Sequence, residues 1–417
     1  MVTRNRRALT IPRQNPGMTA ANPRLSGPPY IYGMIGGAAV LFFVAVDWSL
    51  SRGGVINGLE LWGRDFVNLW SGGKLIRARD FDTLYDPQAF SAYQRGLFGP
   101  FGPHIFSYPP TSFPIADLFS RLPYAVALIA WLVITGWLFL RAARSWWPKD
   151  AGPYWLAVLT PAALVNIWIG HYGFLLGALF LAGWSQLDKR PLLGGALIGL
   201  MAIKPQLAVL IPLALVIRGN WRAIVSAAVT VCVFVAATGL AYGWQAWSDF
   251  LFKASNRQVS VIDAHGSFFG KMSASAATAI LDLGGGWPLA IAAQSVLAVL
   301  GVALVAIAAR ARVDMRQLGL LVATCTFLVL PYSLSYDLTV VMIAAWSILC
   351  RQDEPALDRR LALAGFLAPQ IGILLAFIHV PVMSLILAAL AIAQFRVAMR
   401  DAAPIGRDVP ASAAAAH

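Results

Sequence analysis

The residues best suited to chemistry begin with Asp65, in Gly63-Arg64-Asp65-Phe66. A carboxylate at a loop–helix junction can accept a proton from a hydroxyl. The same position suits the N-cap of the helical pattern that follows, and spacing alone leaves both roles open. Lys204-Pro205 interrupts an apolar run from Leu192 to Ile217 and holds its single charge. Such a lysine either snorkels at a hairpin or acts as a point charge aimed at an anionic headgroup. A further polar break, Pro331-Tyr332-Ser333-Leu334-Ser335-Tyr336-Asp337, places Asp337 where it can pair with Lys204 or Arg257. The stretch 244–286 carries Asn256-Arg257, Asp263-Ala264-His265 and Lys271, either as a solvated loop or as the cover of a cavity. His171 follows Gly170, and His104 opens the segment ending Tyr108-Pro109-Pro110. Each histidine reads as a capped interfacial residue or as a ligand-facing one. The sequence contains no HExxH, no paired histidines, no P-loop and no dinucleotide fingerprint, so no metal and no nucleotide cofactor is expected.

The elements that position these residues follow from composition. The chain has 417 residues, 59% hydrophobic and 12% charged, against about a quarter charged in soluble domains. Several continuously apolar runs of about 17 to 23 residues are long enough to cross a ~30 Å hydrocarbon core as helix. Continuous apolarity excludes a β-barrel, which needs alternation. The expected fold is an all-α, polytopic bundle of about 10–12 transmembrane helices. Spans are expected near 30–50, 123–140, 153–168, 171–187, 191–203, 205–217, 223–243, 287–309, 317–331, 336–350, 361–378 and 381–398. Residues 1–29 read as a disordered basic tail, 30–400 as the membrane domain and 401–417 as a second disordered tail. Within the domain, 51–122 is a long first outer loop and 244–286 a second one. In the first loop, Asp65 to Ile76 and Arg79 to Phe98 have amphipathic helical patterns suited to the membrane surface. Pro114 to Phe119 reads as a shallow re-entrant turn. Cys232, Cys325 and Cys350 fall in apolar spans and offer neither metal spacing nor a disulfide framework.

Charge sets the orientation. The net charge of +13 sits mostly in short loops at span ends, which marks topology and contact with anionic lipids rather than nucleic acid. With a cytoplasmic N-terminus, the cytoplasmic segments hold 21 of the 32 Lys and Arg residues and the outer ones 11, seven of these in the long first loop. Without that loop the split is 21 to 4, a strong positive-inside bias. Asp65 then lies outside, together with Arg64, His104, Tyr108, His171, Lys204, Arg257, His265, Lys271, Tyr336 and Asp337.

These motifs, in this order, resemble the GT-C glycosyltransferases of family 87. The resemblance rests on Gly63-Arg64-Asp65-Phe66, Trp70, Gly73-Lys74, Leu84-Tyr85-Asp86 and Phe106-Ser107-Tyr108-Pro109-Pro110. It continues through Gly170-His171, where the family usually has Gln, then Ile203-Lys204-Pro205-Gln206 and Pro331 to Asp337, covering roughly residues 30–350. It implies an inverting enzyme of the bacterial cytoplasmic membrane. Such an enzyme moves a sugar, often mannose, from a polyprenyl-phosphate carrier to an acceptor hydroxyl of a glycolipid or glycan on the outer face. Carried over, Asp65 is the general base. Lys204, Arg257, His171, Lys271 and Arg64 are candidates for the donor phosphate and sugar. His104, Tyr108, His265, Tyr336 and Asp337 are candidates for contact with the acceptor or sugar. Competing readings are a transporter of lipid-linked sugars, which would more often show repeated halves, a lipid-linked oligosaccharide ligase, and a non-catalytic assembly subunit.

Overall fold

The computed structural model describes residues 60–99, 104–149, 151–254 and 266–402, with 38, 41–42, 44–49, 51–52 and 55–56 ahead of them. Arg257 and His265, most of the expected first span and both expected tails apart from Asp401 and Ala402 lie outside these residues. The protein is an all-α bundle, with one small antiparallel sheet, β1 (Ser51–Arg52), β2 (Val55–Ile56) and β3 (Glu60–Leu61), joining the first span to the loop that carries Asp65.

That loop folds into helices α1 (Phe66–Ala78), α2 (Phe81–Tyr85), α3 (Pro87–Phe98) and α4 (Phe113–Ser120). The amphipathic stretch from Arg79 to Phe98 is two helices. Asp80 accepts a hydrogen bond from Thr83 N, Asp86 caps Gln88 and Ala89, and Pro87 starts the second helix where its missing N–H costs nothing. Pro114 to Phe119 is helical rather than a re-entrant turn, because Pro114 occupies the first turn of α4, where it is tolerated. α1 departs from the expected surface helix: Phe66 through Gly73, Leu75 and Ile76 are buried. Its glycines are small enough for neighbours to close on them, Phe106 on Gly72 and α4 on Gly73. A Cβ added at Gly73 would stand 2.0 Å from the Ala116 carbonyl oxygen.

The membrane bundle follows as α5 (Tyr124–Ala143), α6 (Pro161–Ile169), α7 (Gly173–Gln186), α8 (Pro191–Gly199), α9 (Ile211–Arg218) and α10 (Trp221–Tyr242). Next come three short helices, α11 (Trp244–Asp249), α12 (Phe268–Lys271) and α13 (Ala276–Asp282). The chain continues through α14 (Trp287–Arg310), α15 (Met315–Val329), α16 (Thr339–Leu349), α17 (Ala356–Phe377) and α18 (Met383–Ala402). Among the described residues α5, α10, α14, α17 and α18 are each long and apolar enough to cross a membrane. The other expected spans among the described residues are shorter. At 1.5 Å per residue a 14-residue helix covers about 21 Å, and these helices stop at Gly170, Lys204-Pro205 and the Pro331 break. α18 runs on through Asp401, which Arg351 holds at 2.8 Å.

The basic loops meet at one end of the bundle. Arg218 donates to the Val313 carbonyl, Asn220 to that of Leu187, and Gln317 to Asp401. The Arg316 guanidinium lies over Trp146. α5 links this end to the other: it ends at Ala143, while the hydroxyl of Tyr124, its first residue, donates to the Trp62 carbonyl beside Asp65.

Candidate functional site

The site is assembled from the breaks between helices. Gly170 ends α6 with φ +75°, a left-handed turn. A Cβ there would lie 2.8 Å from both the Gly63 carbonyl oxygen and Phe66 Cβ, so the 170–173 turn seats directly on the Asp65 loop. A Cβ at Gly173 would lie 2.3 Å from the Tyr336 carbonyl oxygen, and Thr339 Oγ1 donates to the Gly173 carbonyl. The Lys204 turn is tied to the Pro109-Pro110 break by Thr111 Oγ1, which donates to the Ala202 carbonyl at 2.8 Å. The 333–337 segment pairs with the second loop through Ala274 N to Ser333 O and Ser335 N to Met272 O.

Asp65 precedes α1 but does not cap it: its own backbone is α-helical and its carboxylate accepts no hydrogen bond from the first turn. The carboxylate accepts instead from the Tyr336 hydroxyl at 3.0 Å and lies 3.9 Å from His171 Nε2. Its side chain is 11% exposed. Burial raises its pKa from 3.8 to about 6, against the lowering effect of the Tyr336 hydrogen bond and the Lys204 charge.

His171 stacks on Tyr336, with ring centroids 4.2 Å apart, and shares a 2.7 Å hydrogen bond between Nε2 and the Tyr108 hydroxyl. Burial, reinforced by Lys204, holds the imidazole well below its ordinary pKa. It is neutral, and its tautomer decides whether Nε2 or the Tyr108 hydroxyl donates the hydrogen bond between them. Nδ1 points toward Asp337 Oδ1, 3.9 Å away, and neither atom has a hydrogen-bond partner. Asp337 Oδ2 is held by Lys204 Nζ at 2.5 Å, and the lysine also lies over the Tyr336 ring. Burial raises the Asp337 pKa, and Lys204 opposes the rise. The cluster thus brings together two carboxylates, one ammonium, a neutral imidazole and phenol hydroxyls, groups able to accept a proton and to face a developing anion.

Asp65, His171, Lys204, Tyr108, Tyr336 and Asp337 therefore come together, while three other candidates do not. Arg64 is committed to Asp47, its Nη2 donating to both carboxylate oxygens at 2.9 Å. Lys271 pairs with Asp282. His104 is anchored to Ser91 on α3 and, by burial, has its pKa lowered to about 4; no contact described around Asp65 includes it. Sequence reasoning missed Asp47, Trp168 and Asn166, whose Oδ1 accepts from Gly173 N. Asp47 had a visible signal, being the single charged residue between Tyr30 and Leu50.

A family model described as Glycosyltransferase family 87 matches residues 106–331, more than half of the chain. No curated protein and no solved structure matches.

Proposed function

The chain belongs to glycosyltransferase family 87 and is a multi-pass membrane glycosyltransferase; from this premise we propose that it moves a hexose, mannose in the first instance, from a polyprenyl-phosphate carrier to an acceptor hydroxyl. Asp65 takes the hydroxyl proton. The acceptor oxygen attacks the anomeric carbon, and the carbon–oxygen bond to phosphate breaks on the opposite side. A single displacement of this kind inverts the anomeric centre. The phosphate monoester leaves with the bonding electron pair, and Lys204 offsets its charge. Asp337 orients Lys204, and Tyr336 and His171 position Asp65. No metal and no nucleotide takes part in this reading. The acceptor is a glycolipid or glycan.

One observation carries the proposal: Asp65 leaves its own helix uncapped and is instead packed against Tyr336, His171 and the Lys204–Asp337 pair. A carboxylate with a pKa near 6 is a stronger base than an ordinary aspartate yet stays ionised at pH 7. Placement on the outer face of a bacterial cytoplasmic membrane is supported by the 21-to-4 charge split and by the gathering of the basic loops away from Asp65. Arg257 remains a candidate for the donor phosphate, and His265 for the acceptor or sugar, on their sequence alone.

The test is transfer of label from a polyprenyl-phosphate mannose donor in membranes holding wild type or Asp65→Asn at matched levels. Wild type is expected to label a lipid or polymer with inversion, and Asp65→Asn to fall by about 10²- to 10⁴-fold. Near-wild-type transfer by Asp65→Asn would overturn the assignment of the base. Failure of wild type with every polyprenyl-phosphate sugar would overturn the donor.

A further inference from the structure

Next to the base sits a cation that the chemistry does not use. Arg64 is joined to Asp65 by one peptide bond and is 6% exposed. An arginine in that position is the natural partner of the adjacent carboxylate, and such a pair would be bad for a base: an opposite charge a few ångströms away stabilises the ionised form and lowers its proton affinity. The fold prevents this in three ways. Gly63 and Arg64 both adopt positive φ, +77° and +30°, a local turn from which Arg64 reaches back to Asp47 rather than forward to its neighbour. Asp47, buried in the first helical segment, receives Arg64 Nη2 on both oxygens at 2.9 Å. Trp168 completes the seat: its indole N–H donates to Asp47 Oδ2, and the Arg64 guanidinium carbon stands 4.7 Å above its ring. A non-glycine residue held at positive φ needs such a framework to persist.

We propose that Asp47 is a positioning residue for the transfer reaction: by holding the Arg64 guanidinium against Trp168, it keeps that cation off the Asp65 carboxylate and leaves Asp65 able to take a proton. The inference rests on Asp65 being the base. It turns Arg64, a donor-phosphate candidate by sequence, into part of the scaffold. It also gives α6 a second duty, since Trp168 lies two residues before the Gly170 turn that presents His171. The groups that face Asp65 are Tyr336, His171, Tyr108, Tyr332, Lys204 and Asp337, and the charge of Arg64 acts on it more weakly from its seat on Asp47. Of these, Arg64 is the one that Asp47 controls directly.

The test compares Asp47→Asn, the double variant Asp47→Asn/Arg64→Gln, and Asp65→Asn. Two readouts are taken: the pH profile of label transfer from polyprenyl-phosphate mannose, and infrared titration of the Asp65 carboxyl in purified protein, found by difference from Asp65→Asn. In Asp47→Asn the released guanidinium is expected to lower transfer by about 10- to 100-fold and to shift the acid limb and the carboxyl midpoint down by about one pH unit. Removing Arg64 as well is expected to restore the midpoint and bring transfer back to within about threefold of wild type. A merely structural Asp47 predicts the reverse, a double variant no better than the single, and that result overturns the proposal. So does a midpoint that stays put in Asp47→Asn. The infrared titration needs no donor, so it decides the matter even where wild type does not use this donor. Full transfer by Asp65→Asn would instead sink the assignment of the base.

Discussion

The protein holds two buried Lys–Asp pairs of the same make: Lys204 with Asp337 and Lys271 with Asp282, each at 2.5 Å and each less than 10% exposed. Their surroundings differ. Around Lys204 lie Asp65, a neutral His171, Tyr336 stacked on that histidine, and Tyr108. Around Lys271 lie Ser273, Thr278, the small residues Gly372 and Ala376, and the exposed His379, whose Nδ1 is 3.8 Å from Asp282. A buried ion pair by itself is weak evidence of anything, because desolvation cancels much of its attraction. What sets the Lys204 pair apart is a second carboxylate with raised pKa, a stacked imidazole and glycines that let separate turns close on one another.

The comparison can be broken most directly by removing both charges of each pair, which avoids stranding one of them. Lys204→Met/Asp337→Leu is expected to keep the fold and lose about 100-fold or more in transfer, the scale of losing a group that stabilises developing charge. Lys271→Met/Asp282→Leu is expected to transfer within about threefold of wild type, with thermal stability unchanged or raised. Equal losses in the two double variants would erase the distinction. A smaller effect is expected of Gly173→Ala, whose Cβ would press on the Tyr336 carbonyl. Displacing Tyr336 should cost about 1–3 kcal/mol of stability and roughly tenfold in transfer, read by thermal shift and initial rate. Next comes stability against pH. Asp65 has a folded pKa near 6 and an unfolded value near 3.8, so the folded state binds the extra proton. Its contribution is fully present below pH 3.8 and is lost as pH rises through 6. Asp65→Asn is therefore expected to be more stable than wild type at pH 7, by about 3 kcal/mol, with the difference vanishing at low pH. The smallest effect is expected of His171→Gln. Glutamine can meet Tyr108 and Asp337 but loses the stack on Tyr336, worth about 0.5–1.5 kcal/mol, so transfer should fall by a few-fold.

The gathering of Asp65, His171, Lys204, Tyr336 and Asp337 was legible because each sits at a Gly or Pro that ends an apolar run, and the charge bias put those ends on one side. Ion-pair partners were not legible. Lys271 finds Asp282 eleven residues on, and Arg64 finds Asp47 seventeen residues back, across breaks whose direction only packing decides. Nor was the burial of α1, since amphipathic spacing is the same whether the second face meets water or α4. The helix-cap role open to Asp65 was a fair reading of local preference, overridden by the hydroxyl of Tyr336, 271 residues later in the chain.

The measurement closest to the central claim is the pH–rate profile of single-turnover transfer by wild type beside Asp65→Asn. The account predicts that wild-type rate falls as pH drops through about 6 and that Asp65→Asn is slow at every pH with no such limb. A wild-type limb at the ordinary aspartate range, or an Asp65→Asn rate that keeps the limb, would contradict it.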